Sequence, residues 1–160
     1  MLKNLEEALN KFGKDVITRA RYNLTRGKHK SSGQLYKNLE YDFSRTNDGY
    51  DFNFRFPYYG DFIDQGVSGT EIKYPTPYSY TSKKPPYRSI FSWVKEKKVR
   101  FRDTQGKFKA GNYKTIAHIL RNSIYKKGIK PTLFFTKPFT NKMYDLPDKL
   151  AEALLKDYDL

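Results

Sequence analysis

The sequence contains no cysteine. Disulfide bonds, thiolate nucleophiles and cysteine-ligated metals are therefore excluded. Long apolar runs are also missing, and no stretch approaches the roughly twenty residues that a membrane-spanning helix needs. The first residues follow an acid-containing amphipathic helix pattern, which differs from a secretory signal peptide. From these absences we expect a protein that is soluble and intracellular at synthesis and has no membrane partner.

Residues typical of catalysis are equally scarce. His29 falls in a lysine-rich stretch, and His118 falls in the middle of a predicted helix, where a structural role is the commoner one. No zinc-protease, nucleophile-elbow or phosphate-loop spacing occurs. Asp61 and Asp64 lie one helical turn apart, but no third ligand is near them in the sequence, which favours a capped, solvated pair. We therefore expect no enzyme, no cofactor and no metal site.

Acidic residues are few relative to basic ones. Lysine and arginine number 31 against 17 aspartates and glutamates, and the net charge is +14. A field of this sign attracts polyanions or an acidic protein partner. The alternative is that the lysines keep an aromatic-rich surface soluble.

Aromatic residues are abundant, at 17% of the chain. Disordered chains have few aromatics, so the composition predicts a folded core. A length of 160 residues predicts a single domain, 1–160.

Strict alternation predicts a β-hairpin in the middle of the chain. Residues 50–56 place four aromatics on one face, residues 39–43 alternate in the same way, and Asp48-Gly49 favours a two-residue turn between them. Taking those two residues as the loop fixes the expected pairs: Phe43 opposite Phe54, Tyr41 opposite Phe56, and Asp42 opposite Arg55.

Helical spacing appears on both sides of this hairpin. It predicts a long helix from Leu2 to about Leu24, a second from Tyr113 to Lys127 that Asn112 caps, and a C-terminal helix from Asp148 to Tyr158. The expected fold is α+β: a small antiparallel sheet packed by two long helices and a C-terminal helix, with an aromatic and proline-rich insert.

That insert, residues 71–110, is a candidate arm. Four prolines between Glu71 and Pro86 forbid an ordinary helix or central strand, and the tyrosines there need a surface to pack on. We expect this stretch to reach out of its own subunit and dock on a partner. The alternative is a lid that folds back onto its own chain. The candidate partner-binding residues are Tyr74, Tyr78, Tyr80, Lys83, Lys84 and Tyr87.

Basic and aromatic residues interleave farther along the insert. Residues 99–108 predict a small hairpin with its turn at 103–106. The pattern suits stacking on single-stranded nucleic acid, but it favours a plain ribbon with one wet face. No signature of sequence-specific DNA binding is present. The candidates for a surface that faces DNA or an acidic partner are Arg26, Lys28, Lys30, Arg100, Arg102, Lys107 and Lys109.

Two short motifs carry a family resemblance. After the strand and Pro57 come Tyr59-Gly60-x-Phe62-Ile63-Asp64-x-Gly66, and much later Pro131-x-x-Phe134-Phe135-x-x-Pro138-Phe139. With the first helix and the Ser32-Gly33-x-Leu35 that follows it, this arrangement resembles the neck, head–tail joining or tail-completion proteins of tailed bacteriophages, a group that includes minor tail proteins. The resemblance covers most of the chain apart from Tyr74 to Arg102.

The resemblance implies a structural virion protein at the head–tail interface. It implies a ring, six-fold favoured and twelve-fold possible, that touches connector, portal-side or tail-tube proteins and makes nonspecific contact with packaged DNA. Synthesis would occur in the cytoplasm of the bacterial host, with the virion as the final location. The alternative is a nonspecific nucleic-acid-binding protein that uses its basic and aromatic surfaces.

Overall fold

The computed structural model describes residues 2–27, 33–109 and 111–159. They fold as the α+β class that the sequence predicts, in two compact units: Met1–Gly60 with Leu133–Leu160, and Asp61–Thr132. The helices are α1 (Lys3–Arg26), α2 (Gln34–Lys37), α3 (Tyr59–Gln65), α4 (Tyr87–Glu96), α5 (Tyr113–Lys127), α6 (Thr136–Tyr144) and α7 (Leu146–Asp157); the strands are β1 (Glu40–Arg45), β2 (Tyr50–Arg55), β3 (Val67–Ser68) and β4 (Gly128–Ile129).

In the first unit, α1 packs on the aromatic face of the β1–β2 hairpin. The predicted stripe of α1 is buried along its length, and Phe12 contacts Phe52 and Phe54 edge to face, with ring centroids 5.4 and 6.1 Å apart. Edge-to-face aromatic pairs add to the stabilisation that area burial supplies. The predicted faces of the hairpin are confirmed, because the aromatics of β2 are half-buried and the residues between them are exposed.

The predicted register of this hairpin is wrong. Tyr41 lies opposite Phe54 and Phe43 opposite Phe52. The turn centres on Asn47 and Asp48, one residue earlier than predicted, and the Thr46 amide donates to the Gly49 carbonyl at 2.8 Å.

The two-residue period of a β-strand explains why the register differs while the predicted faces are kept. Moving a turn by one residue changes every cross-strand pairing by two, which leaves each side chain on its original face. Aromatic residues therefore still meet aromatic residues, and Phe43 stacks on Phe52. Arg55 no longer faces Asp42 directly, but its Nε still donates to the Asp42 carboxylate at 3.2 Å along the diagonal.

The segment Leu133–Phe139 also packs on this sheet. Phe134 is fully buried, Phe135 contacts Phe54 with ring centroids 5.1 Å apart, and Phe139 contacts the same ring at 5.7 Å. Pro138 lies in the first turn of α6, where a missing amide costs nothing. Leu146 and Pro147 restart the chain as a separate helix, α7.

In the second unit, α4 packs against α5 through Ile90, Val94, Ile116 and Ala117. Asn112 caps α5 as predicted, because its Oδ1 accepts from the Thr115 amide at 2.8 Å. The predicted hairpin at residues 99–108 is reduced to one bridge between Arg102 and Phe108, although its turn at 103–106 forms.

Gly13 is the point of closest approach between α1 and the hairpin. A Cβ atom at this position would come within 2.6 Å of the Phe52 ring and even closer to Tyr41. We expect Gly13→Val to lower the free energy of unfolding by about 1–3 kcal/mol, because two packed rings must move. Thermal unfolding measures this loss, with the neighbouring exposed Lys14→Val as the control; equal melting temperatures for the two variants would contradict the packing.

Asp157 at the end of α7 caps the start of α1. Its carboxylate accepts from the Asn4 amide at 2.9 Å, the Leu5 amide at 2.9 Å and the Asn4 side chain at 2.8 Å. Leu2, the N-cap residue of α1, makes no side-chain cap, so a side chain from the other end of the sequence satisfies the free amides. Burial raises the pKa of Asp157, but these hydrogen bonds together lower it below its ordinary value.

This cap predicts a pH-dependent contribution to stability. Because the folded-state pKa of Asp157 is lower than the unfolded one, the contribution is complete above about pH 4 and is lost as the pH falls through the folded-state pKa. We expect Asp157→Asn to melt below the wild type at neutral pH, with a difference that shrinks in acid. A difference that is constant across pH would contradict the cap; Asp159→Asn is the control.

Candidate interaction surfaces

The tyrosine–proline segment, residues 71–86, is bound to its own chain through β3. The Ser68 amide donates to the Tyr78 carbonyl and the Tyr80 amide donates to the Ser68 carbonyl, both at 2.9 Å. Buried Ser68 also accepts from the Tyr74 amide at 2.9 Å and donates to the Tyr74 carbonyl at 3.1 Å. The segment therefore extends the β3–β4 pair on the free side of β3.

Side chains of α5 hold the rest of the segment. Arg121 donates through Nε to the Pro85 carbonyl at 2.7 Å, and the Tyr125 hydroxyl donates to the Thr81 carbonyl at 2.6 Å. Lys84 in turn donates to the Asn122 side chain at 2.9 Å. The expectation that this segment reaches out of its subunit is wrong, because it folds back onto β3 and α5. Prolines cannot pair as a full strand, so side chains supply the missing bonds.

The predicted partner-binding tyrosines take part in this packing. Tyr78 meets Phe62 edge to face at 4.7 Å, and Tyr80 packs near Tyr125, where burial raises the Tyr80 pKa. Tyr87 stacks on His118 at 4.5 Å. Tyr74 is also half-buried. Lys83 is exposed, as is Lys84. A partner-binding role for these residues stays a prediction.

The predicted basic residues divide between the units. Arg100, Arg102, Lys107 and Lys109 lie together in the second unit, in a stretch that we call the basic turn (residues 99–109). Arg26 ends α1 in the first unit. Lys28 and Lys30 lie outside the described residues.

The basic turn is ordered by its own contacts. The guanidinium of Arg102 lies over the ring of Phe108, 4.2 Å from its centroid, and donates to the Gly106 carbonyl at 2.7 Å. The Asp103 carboxylate accepts from the amides of Gln105 and Lys107, each at 2.9 Å. Such Asx turns are a common local use of aspartate, and here one explains why the turn forms without a long ladder.

Beside the basic turn lies a hollow of about 430 Å³. Its lining includes Arg100, Phe108, Lys109 and Tyr113. Sequence reasoning missed Tyr113, although the Asn112 cap places it at the first position of α5, four residues after the end of the basic turn. The hollow joins two aromatic rings to two cations.

The acidic pair of α3 differs from its prediction. Asp64 is only 2% exposed and so is not solvated as predicted, whereas Asp61 is half-buried. Among the residues that the structure describes, no group of three histidine, aspartate or glutamate side chains could hold a metal ion. No helix in the same residues has both the length and the apolar character to cross a membrane.

Comparison with known proteins adds no relative. No protein-family model, curated protein or solved structure matches this chain.

Substitutions in α5 test whether Arg121 and Tyr125 hold the tyrosine–proline segment. We expect Arg121→Met with Tyr125→Phe to cost about 2–3 kcal/mol of stability, because two hydrogen bonds are lost and one involves a charged donor. Trypsin should then cut faster after Lys83; the bond after Lys84 precedes Pro85 and is not a trypsin site. Lys127→Met, an exposed change on the same helix, is the control. Unchanged cleavage in the double variant would show that α5 does not hold the segment.

Proposed function

We propose that this chain is a structural virion protein of a tailed phage, a neck or tail-completion subunit that forms a ring at the head–tail interface. The observation that carries the proposal is the meeting of the two motif segments, which lie far apart in sequence. The Thr132 hydroxyl donates to the Ile63 carbonyl at 2.7 Å, and the Thr132 amide lies 3.1 Å from the Asp64 carbonyl.

The glycine of the first motif completes this junction. Gly66 takes the left-handed conformation that ends α3, with φ at 76°, and a Cβ there would meet Pro131 at 2.7 Å. The Tyr-Gly-x-Phe-Ile-Asp-x-Gly helix and the proline that begins the second motif are therefore one packed unit. This geometry gives the motif pairing a physical basis and supports the resemblance.

Exposed aromatic side chains support an assembly role. Aromatic residues and arginine are enriched at the centres of protein interfaces. A cyclic ring uses two different patches on each subunit, and those patches must fit each other. Both units offer such side chains: Tyr144 and Tyr158 in the first, Trp93 in the second.

The proposed neighbours are the connector, portal-side proteins or the tail tube. Six copies are favoured and twelve are possible, and the proposed location is the virion. Because the tyrosine–proline segment is held on its own chain, we place the subunit contacts on ordered surfaces.

The mass of the assembly tests this function. Native mass spectrometry and negative-stain microscopy of the purified chain, alone and mixed with purified phage connectors or tail tubes, should show one closed ring of identical subunits. Tyr144→Ser and Trp93→Ser should weaken assembly if those residues lie in the contacts, whereas Lys14→Gln serves as the control. A two-fold dimer, or a monomer that ignores both partner assemblies, would contradict the proposal.

A further inference from the structure

Positive charge is concentrated around the basic turn. The stretch 95–109 contains seven lysines and arginines against two acids, Glu96 and Asp103. Within the described residues none of these seven cations forms an ion pair, since the ion pairs there involve other side chains. No carboxylate among the described residues is therefore paired with this cluster.

One of the two acids is already engaged. The Asp103 carboxylate accepts two amide hydrogen bonds from inside the turn. Its role is to hold the shape of the turn, so it does not pair with the cations around it. The surface that remains has a strong preference for a polyanion.

An aromatic ring stands among these cations. Phe108 is 60% exposed, so much of its ring surface is open to a partner. The Arg102 guanidinium supports the ring, and Arg102 is itself held by the Gly106 carbonyl. The ring and its cation are therefore positioned before any partner arrives, which lowers the cost of binding.

The adjoining hollow gives this ring a space to use. Phe108 and Tyr113 contribute aromatic surface, and Arg100 and Lys109 contribute cations. Its volume, about 430 Å³, is in the range of small-ligand sites. These side chains suit a flat aromatic group flanked by phosphates: the rings would stack on the group, and the cations would contact the phosphates.

We propose that this hollow is a binding site for single-stranded nucleic acid. A base stacks on Phe108 within the hollow, and Arg100, Arg102 and Lys109 contact the neighbouring phosphates. Stacking on aromatics within a basic groove is how such proteins bind single strands without sequence preference. An acidic protein would satisfy the cations but has no need of the exposed ring, and duplex DNA keeps its bases in the stack.

This site is separate from the proposed ring, so it can be tested on the purified chain in any oligomeric state. Fluorescence anisotropy with labelled oligo(dT), oligo(U), duplex DNA and poly-aspartate compares the four classes of ligand. We expect both single strands to bind more tightly than the duplex at equal salt. The logarithm of the association constant should fall linearly with the logarithm of the salt concentration, with a slope of about 0.7 for each phosphate contacted.

Variants separate stacking from charge. Phe108→Ala should weaken oligo(dT) binding roughly 5- to 100-fold, whereas Phe108→Trp should restore it. Arg100→Gln with Lys109→Gln should lower the salt slope by about 1.4. Tyr22→Ala, an exposed ring under Arg19, and the pair Lys14→Gln with Lys137→Gln are matched controls from the first unit, and circular dichroism confirms that each variant folds.

Three results would overturn the proposal. Equal affinity for duplex and single strand, with Phe108→Ala unchanged, means attraction by charge alone. Binding of poly-aspartate but not of oligonucleotides means an acidic protein partner. No binding at low salt means that this surface does not recognise polyanions. None of these results bears on ring formation, so failure here is distinguishable from failure of the proposed function.

Discussion

The close backbone contact between β3 and β4 is the constraint on which the second unit depends. A Cβ at Gly69 would lie 2.5 Å from the Gly128 amide, so the two glycines permit an approach that larger residues forbid. This contact brings the end of α5 beside β3, which positions Arg121 and Tyr125 against the tyrosine–proline segment. The same strand pair leads directly into the junction between Thr132 and α3. The contact between Gly69 and Gly128 therefore helps to position the tyrosine–proline segment, α5 and the junction between Thr132 and α3.

Local patterns predicted the elements well, because spacing and caps act over a few residues. The long helix α1 and the Asn112 cap both form as the sequence indicates. The hairpin register was not determined by those patterns, since a shift of two positions preserves every apolar face. The cap that Asp157 provides could not be predicted from local patterns either, because its partners lie at the opposite end of the sequence.

The candidate surfaces show the same limit. Tyrosines among prolines predicted correctly that residues 71–86 need packing, but the pattern does not say against what. The answer depends on side chains of α5, about forty residues later, such as Arg121. By contrast, the basic turn is visible in sequence because its cations and aromatics are neighbours there. What the structure adds is Tyr113, which the Asn112 cap brings to the edge of the hollow.

Because the tyrosine–proline segment is held on its own chain, we expect partner contacts on surfaces that are already ordered. A flexible arm would lose conformational entropy when it binds a partner, whereas a surface that is already ordered lost that entropy during folding. The basic turn meets this condition because Asp103 and Arg102 hold it through internal hydrogen bonds. A ring subunit near packaged nucleic acid would benefit from such a preformed cationic surface, since the attraction is long-ranged and independent of sequence. The two proposals are therefore compatible, yet they rest on different residues: the motif junction at Thr132 for assembly, and Phe108 with its cations for the polynucleotide.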